Sequence, residues 1–367
     1  MKTGDKLILT FVVVIVLASC AFYAIGSGIL DDDEAVTDGD LTYSGSLAKI
    51  GVTGTGSGNV GTLTLTDGSA TTQWYILDLT ASTYVLSGSV YVERGYEWYS
   101  TGQTMTISPG YYGVRVVDGD TSAFGEIALL GTVTQTYSWT QNIGTSIYTY
   151  SFDFTYNISS YLTYAMDDSA VRHSSSSLED SRYAVVDGDI ERLEDLLAAE
   201  YLEVRGLTAT TDQSYADFLL SFVQCCIDYP TSIAQGWDGY YRESDSGSGD
   251  LYLYGQSEYW AYPMETIHRG QGDCEDTSFL SAALYSAAGY TAGVVVLPGH
   301  MVSLVGLSDF TETYRPGYLA TSRTLSATGE TIYFCETTTS QYLPVGYLSV
   351  QVHNEVLQVT EVSLVGD

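Results

Sequence analysis

A cysteine that follows a glycine-rich turn is the residue of this chain best suited to covalent chemistry. Residues 270–273, GQGD, lead directly into Cys274, and an apolar helical pattern follows. A thiol in the first turn of a helix lies among free backbone N–H groups, which stabilise a thiolate and could hold an oxyanion. The carboxylates of Asp273, Glu275 and Asp276 oppose a thiolate, so we expect them to face solvent or to cap the helix. Cys274 is therefore a candidate nucleophile.

One of the four histidines lies where it could serve as the base for this thiol. His300 stands between two strand-like apolar runs, in VVVLPGHMVSLVGL. The helix after Cys274, a turn and one strand separate the two residues, and this path brings a sheet residue back to the start of the helix. A cysteine–histidine pair within hydrogen-bond reach is the activated nucleophile of thiol hydrolases and acyltransferases. The alternative role of His300 is that of a hydrogen-bonded core residue.

A third group is needed to orient the imidazole, and Glu336 in TIYFCETTT is the candidate. Side chains alternate along a strand, so Cys335 and Glu336 should point to opposite faces. If Glu336 faces the site, Cys335 packs behind the sheet and is not a second nucleophile. The alternative is that Glu336 is an exposed carboxylate at the end of a strand.

The order of these motifs resembles that of a known superfamily. GDCED, LPGH and CET, over about residues 185–350, are similar to the transglutaminase-like (papain-like) cysteine proteases, especially a surface-anchored prokaryotic branch. The resemblance implies a papain/transglutaminase-like fold with Cys274 as nucleophile, His300 as general base and then acid, and Glu336 as orienting acid. The better-known members carry Asp at the third position, so this chain departs from the pattern by having Glu336 there.

Two further residues are candidates for binding the oxyanion or lining the pocket. Gln224, in SFVQCCIDY, could donate from its side chain, as a Gln on an earlier segment does in papain-like enzymes. Trp260, in EYWAYP, could donate from its indole N–H, as in some members of the superfamily. The alternatives are an ordinary exposed helix residue for Gln224 and a packed ring under a loop for Trp260.

The elements that must position these residues lie in the second half of the chain. Apolar spacing predicts helices over residues 189–201 and 212–227, with Asp189 as the cap of the first, and a third helix that starts near Cys274. Strand-like runs close the chain, so residues 166–367 should form an α+β domain. Gly289 suits the end of the third helix.

Two other stretches differ in their sequence pattern from the helices and strands described above. Residues 41–165 contain short alternating runs separated by turn residues, which predicts an all-β, sandwich-like domain. Tyrosine is abundant, with 32 residues, and this favours exposed β structure. The polar, glycine-rich stretch 235–256 indicates a mobile loop.

The start of the chain predicts export. Residues 1–26 carry two lysines before an apolar run long enough to span a bilayer, and an acidic linker, 27–40, follows. An uncleaved anchor helix, a lipoprotein signal acylated at Cys20, and a cleaved signal peptide are the alternatives. Each of them exports the chain, and the anchor helix or the lipid would hold it at the extracellular face of the membrane.

Charge and cysteine usage exclude several classes of function. The formal net charge is -32, with 13 Lys plus Arg against 45 Asp plus Glu, which excludes a nucleic-acid surface. Ligand spacings typical of zinc or EF-hand calcium sites do not occur, so we predict no metal and no cofactor. Cys225, Cys226 and Cys335 are left for one disulfide or for apolar packing.

These observations predict a cell-surface thiol hydrolase, a peptidase or amidase that acts through Cys274, His300, Glu336 and a thioester. Acyl transfer of the transglutaminase type is the related outcome, and the substrate would contain peptide or isopeptide bonds. The alternative from another class is a catalytically silent surface binding or scaffold protein with the same fold.

Overall fold

The computed structural model describes most of the chain after residue 51. The described residues are 52–65, 73–80, 104–118, 121–167, 180–210, 212–313, 315–339 and 342–366, together with short strands at 39–40, 44–45, 84–87, 90–93 and 96–98. The predicted anchor, residues 1–26 with Cys20, and the predicted linker before residue 39 lie outside this part. Among the described residues, no helix combines the length and the apolar character that crossing a membrane requires.

The described residues up to 157 form antiparallel strands, as the alternating pattern predicts. They are β1 (Gly39–Asp40), β2 (Ser44–Gly45), β3 (Val52–Ser57), β4 (Val60–Leu65), β5 (Gln73–Asp78), β6 (Tyr84–Ser87), β7 (Val90–Glu93), β8 (Tyr96–Trp98), β9 (Thr104–Ile107), β10 (Gly110–Asp118), β11 (Thr121–Leu129), β12 (Thr132–Ile143) and β13 (Ser146–Asn157). One sheet has the order β1-β3-β4-β9, a second has the order β2-β11-β10-β5-β8, and β12 pairs with β13.

Helices and a second set of strands follow, so the chain is of the α+β class. The helices are α1 (Ile158–Ala165), α2 (Gly188–Arg205), α3 (Asp212–Cys226), α4 (Gly249–Leu253), α5 (Pro263–Arg269), α6 (Cys274–Ala287) and α7 (Val350–Val356). The strands are β14 (Ile233–Gln235), β15 (Tyr241–Glu243), β16 (Ala292–Leu297), β17 (His300–Gly306), β18 (Tyr318–Ala320), β19 (Ser322–Thr324), β20 (Thr331–Cys335), β21 (Tyr347–Ser349) and β22 (Ser363–Leu364).

The three predicted helices of the second half exist, with one difference at a cap. Helix α2 is capped by Asp187, whose side chain accepts from the backbone N–H groups of Asp189 and Ile190. Asp189, the predicted cap, instead lies in the first turn, where a carboxylate still complements the helix dipole. At the other end of α6, Gly289 has φ +85, the left-handed conformation expected there.

Helix α6 is the centre of the second half and is buried on nearly every side. It packs against β16 and β17 of the five-stranded sheet β19-β20-β17-β16-β22, and against α2, α3 and α5 on its other sides. Every residue from Glu275 to Tyr285 is buried. This burial fixes the start of α6, and Cys274 with it, against the sheet.

The stretch predicted as a mobile loop is ordered in part. Strands β14 and β15 form a hairpin between residues 233 and 243, and α4 follows. Strand β15 also pairs with β7 through Tyr241 and Tyr91. The prediction of a loop was wrong because two three-residue strands and a five-residue helix are too short to show a period.

The tyrosines also differ from expectation, because many of them lie in the core. The largest fully buried side chains include Tyr150, Tyr156, Tyr161, Tyr183, Tyr201, Tyr215, Tyr285 and Tyr347. Their hydroxyls find partners: Tyr215 donates to Glu194 at 2.6 Å, and Tyr285 donates to the carbonyl of Ala216 at 3.3 Å. A buried phenol that keeps a hydrogen bond contributes apolar area without an unsatisfied polar group.

Candidate functional site

The turn before α6 delivers Cys274 through a tight backbone path. Gly270 ends α5 with φ +63, a conformation that favours glycine. Gly272 lies so close to α6 that a Cβ there would be 2.7 Å from the Cβ of Asp276. The backbone of Asp228 bonds both to the carbonyl of Gly270 and to the N–H of Gly272, at 3.0 and 3.1 Å. These contacts explain both glycines of the GQGDC motif.

His300 begins β17 immediately after a two-residue turn. Leu297 on β16 pairs with His300 across this hairpin, and Gly299 in the turn has φ +69. The hydroxyl of Ser278 on α6 donates to the carbonyl of Met301 at 3.3 Å. The first turns of α6 and the start of β17 therefore lie side by side, as the predicted path from helix to strand requires.

Glu336 follows β20 and faces His300. The Nε2 atom of His300 lies 3.0 Å from Oε2 of Glu336, and both side chains are largely buried. The other carboxylate oxygen, Oε1, accepts from the backbone N–H and the hydroxyl of Thr338, at 3.0 and 2.7 Å. Cys335 is fully buried on the face of the sheet that packs against α6, where the hydroxyl of Tyr285 donates to its sulfur at 3.7 Å.

The charges of this pair support each other. Burial opposes the charged imidazole, but the hydrogen bond and the charge of Glu336 together raise the pKa of His300. Burial likewise opposes the charged carboxylate, yet bonds from His300 and Thr338 hold the pKa of Glu336 below its usual value. Glu336 is thus an ionised acceptor, and it leaves Nδ1 of His300 as the ring nitrogen able to exchange a proton.

The thiol of Cys274 is turned toward its neighbour rather than toward His300. Its Sγ donates to Oε2 of Glu275 at 2.9 Å. Burial, followed by the charges of Glu275 and Asp273, raises the pKa of the thiol well above its ordinary value, while the backbone N–H of Met301 lowers it. The structure therefore brings the sulfur to the backbone N–H of Met301, the residue after His300 on β17, with the thiol protonated.

The expectation that the neighbouring carboxylates face solvent or cap the helix was wrong. Glu275 and Asp276 are buried, and Asp273 precedes α6 without a capping bond from its side chain. Carboxylate oxygens of Asp250, Asp273 and Asp276 lie within 4.8 Å of one another, and one oxygen of each is buried without a partner.

The carboxyl groups of this carboxylate cluster, Asp250, Asp273 and Asp276, lose their protons less readily than ordinary carboxyl groups. Burial and the mutual repulsion of the carboxylates raise the pKa of Asp250 to about 8 and that of Asp273 to about 12. Buried carboxylate oxygens are also the ligands that hard divalent cations prefer, so these three residues could hold such an ion. A positive charge there would lower the pKa of the nearby thiol.

The two candidates for binding an oxyanion have their donors engaged elsewhere. Gln224 is buried on α3, and its Nε2 donates to the carbonyls of Glu336 and Leu343 at 2.7 and 3.0 Å. The indole N–H of Trp260 donates to Glu258 at 3.1 Å, and its ring packs against Tyr183. Gln224 therefore contacts the site through the backbone of Glu336, while Trp260 packs against Tyr183 and donates to Glu258.

A cavity of about 100 Å³ adjoins both the nucleophile turn and the acid. Its lining includes Gln224, Asp228, Gly272, Thr277 and Thr337. Thr277 and Thr337 bond to each other through their hydroxyls at 2.9 Å, so the wall is closed between α6 and the segment after β20. Asp228 is exposed at the rim and would favour a neutral or cationic group.

Sequence reasoning missed several residues of this site. Tyr229 lines the cavity with its ring partly exposed, and desolvation of its hydroxyl raises the pKa of that group. Thr338 holds Glu336, and Asp250 completes the carboxylate cluster. The threonine run after Glu336 was the one available signal, because Tyr229 and Asp250 lie in the stretch between helices that shows no period.

The remaining cysteines stay reduced. Cys225, Cys226 and Cys335 are free, so of the two alternatives the structure has no disulfide among them. Burial raises the pKa of Cys335 to about 12, as it does for a packed thiol.

Comparison with known proteins gives no family. No protein-family model matches the chain, and no curated protein matches it either.

Proposed function

We propose that this protein is a thiol hydrolase, a peptidase or amidase, in which Cys274, His300 and Glu336 act as nucleophile, base and orienting acid. The contact between His300 and Glu336, 3.0 Å long and next to the first turn of α6, carries the proposal. The proposed fold of this part is papain/transglutaminase-like, and the β-rich part before it is a sandwich-like domain.

The proposed reaction starts when the thiol rotates from Glu275 toward His300. Nδ1 of His300 takes the thiol proton, and the thiolate attacks the carbonyl carbon of an amide. The C–N bond then breaks, the imidazolium gives its proton to the leaving amine, and a thioester remains on Cys274. Water, activated by His300, hydrolyses the thioester to a carboxylic acid. A primary amine in place of water would give acyl transfer.

The oxyanion of each tetrahedral intermediate would be held by backbone donors. The first bond of the α6 ladder runs from the N–H of Thr277 to the carbonyl of Asp273 at 3.1 Å. The N–H groups of residues 274–276 precede that bond and have no partner within the helix. They favour a negative charge near Cys274.

A second candidate is a surface binding or scaffold protein with no turnover. The bond from the thiol to Glu275 and the raised pKa of the thiol favour it, because a protonated thiol is a poor nucleophile. In this reading the cavity beside Thr277 would bind a ligand without reaction.

The setting and the substrate class follow from the sequence. We propose that the N-terminal segment holds the protein at the extracellular face of the membrane, by a helix or by a lipid on Cys20. The substrate would be a surface polymer with peptide or isopeptide bonds, and the net charge of -32 repels nucleic acid. The proposed chemistry needs no cofactor.

Trapping of the thioester tests this function. The protein is incubated with glutamine-containing and isopeptide-linked peptides, with and without hydroxylamine, and the products are identified by mass spectrometry. We expect carboxylic acid products without hydroxylamine, hydroxamates with it, and neither from Cys274→Ala. Products that persist in Cys274→Ala, or their absence across a broad peptide library, would contradict the hydrolase and favour the binding protein.

A further inference from the structure

Gln224 holds the backbone around Glu336 by every polar atom of its side chain. Its two amide hydrogens go to the carbonyl oxygens of Glu336 and Leu343 at 2.7 and 3.0 Å. Its Oε1 accepts from the N–H of Leu343, also at 3.0 Å. A primary amide has two hydrogens to donate, so none is left for a substrate oxygen in this arrangement.

The position of Gln224 allows its hydrogen bonds to control where Glu336 lies relative to His300. Only 3% of the residue is exposed, on a helix that packs against α6. The segment that Gln224 binds begins at Glu336, whose carboxylate bonds His300. It also includes Thr338, which donates to the same carboxylate of Glu336. A displacement of that segment would therefore change the distance from Glu336 to the imidazole.

We propose that Gln224 is a positioning residue, which fixes the backbone of Glu336 and so the orientation of His300, and that it is not an oxyanion donor. This inference deepens the proposed function and rests on it for its kinetic consequence. The hold on Glu336 itself can be tested without turnover. Two contacts fix the backbone position of Glu336. The preceding strand, β20, pairs with β17, and Gln224 on α3 donates to the carbonyl of Glu336.

The same helix offers a matched control. Gln213, in the first turn of α3, also clamps backbone with its amide: it accepts from the N–H of Thr311 at 2.6 Å and donates to its carbonyl at 3.4 Å. It is half-buried, at the other end of the helix from Gln224. Gln213→Met thus removes an equivalent clamp that does not hold Glu336.

The experiment follows the titration of the His300 imidazole by NMR in protein with labelled histidine, where the signal is identified by its loss in His300→Ala. We expect the pKa of His300 to fall in Gln224→Met toward its value in Glu336→Gln, and to stay in place in Gln213→Met. Hydrogen exchange of residues 337–339 and 342–345 should become faster in Gln224→Met only. Gln224→Asn, which keeps the amide but shortens its reach, should change both readouts in the same direction and serves if Gln224→Met does not fold.

A His300 titration that is unchanged in folded Gln224 variants would overturn the inference. Where turnover is measurable, a positioning role predicts a lower kcat, a similar KM and a shifted pH profile. A lower kcat with the pH profile and the His300 titration unchanged would instead indicate an oxyanion donor. Because the titration needs no substrate, failure of the proposed function leaves this test intact.

Discussion

At the scale of single residues, the thiol of Cys274 is held back by the side chain that follows it in the sequence. Glu275 accepts a hydrogen bond from the thiol and, with burial and Asp273, keeps the pKa of the thiol high. The start of a helix should do the opposite and favour a thiolate. The local charges win over the helix dipole here because Glu275 is buried at 2.9 Å from the sulfur.

Glu275→Gln should therefore lower the pKa of Cys274, because it removes a negative charge next to the sulfur. A fall of one pKa unit corresponds to about tenfold more thiolate at a pH below both values. The rate of alkylation of Cys274 by iodoacetamide at pH 7.5, read by peptide mass spectrometry, measures it. Glu203→Gln, on an exposed part of α2, makes the same change of charge and should leave the rate unchanged. Equal rates in both variants and the wild type would contradict this account of the thiol.

Glu336→Gln should destabilise the protein in a defined pH window. The pKa of His300 is raised, so its share of stability is complete below about 6.5 and is lost as the pH rises through the folded value. The pKa of Glu336 is lowered, so its share is complete above about 4.5 and is lost as the pH falls through the folded value. Loss of a hydrogen bond between charged groups costs about 1.5–3 kcal/mol.

Denaturant titrations of wild type and Glu336→Gln at several pH values provide the measurement. The difference in the free energy of unfolding should be greatest between pH 4.5 and 6.5 and should shrink on both sides. A difference that is constant from pH 4 to pH 9 would show that the pair is not charged in the folded protein.

The sequence predicted which residues meet at this site better than it predicted their bonds. His300 and Glu336, which bond at 3.0 Å, could be placed together because turn and strand lengths constrain where the chain returns. The buried state of Glu275 and the clamp made by Gln224 depend on side-chain packing against segments far away in sequence. Local pattern carries no information on such contacts.

At the scale of elements, α5 fastens the end of β5 through one buried arginine. Arg269 donates to the carbonyl and hydroxyl of Thr80 and to the hydroxyl of Tyr161, and it lies 3.7 Å from the carboxylate of Asp78. Because α5 leads into the nucleophile turn, this contact ties the strands of the first half to the site.

Arg269→Met should lower the free energy of unfolding by about 1.5–3 kcal/mol, because it removes hydrogen bonds from a charged group to Thr80 and to the buried Tyr161. Denaturant unfolding measures this change. Arg242→Met is the control: its exposed contact with Asp238 at 2.7 Å lies in the hairpin, and its loss should not move the midpoint measurably. Similar unfolding midpoints for the two variants would show that the contacts of Arg269 do not stabilise the fold.

Elements were predictable where they are long and periodic. Helices α2, α3 and α6 carry apolar spacing over several turns, and the two glycines around Cys274 mark the turn between α5 and α6. The hairpin β14–β15 was not predictable, since it is stabilised by pairing with β7 from a distant part of the chain. Short strands acquire their structure from such partners.

At the scale of the whole molecule, the net charge of -32 opposes the folded state. Like charges repel more strongly when the chain is compact, and salt screens them over about 10 Å at 0.1 M and about 3 Å at 1 M. We expect the Tm to rise as NaCl increases from 0.05 M to 1 M. Tetramethylammonium chloride of equal ionic strength should do the same, because screening does not depend on the cation. A Tm that does not respond to either salt would contradict this effect of charge.

The same series distinguishes screening from binding. Millimolar calcium chloride adds little ionic strength, so a rise in Tm that exceeds that of matched NaCl would indicate an ion held by particular carboxylates. Asp276→Asn should remove such a rise and leave the response to NaCl unchanged.

The central claim is that His300 activates Cys274, and the pH dependence of Cys274 alkylation tests it most directly. Only the thiol that has rotated from Glu275 to His300 can pass its proton to the imidazole, so we predict that the rate for wild type rises through an inflection set by His300. This inflection should be lost in His300→Ala. Cys225 and Cys226, whose thiols burial holds protonated, should react slowly in both proteins and serve as internal controls. A single inflection above pH 9 for Cys274, the same in wild type and His300→Ala, would contradict the claim.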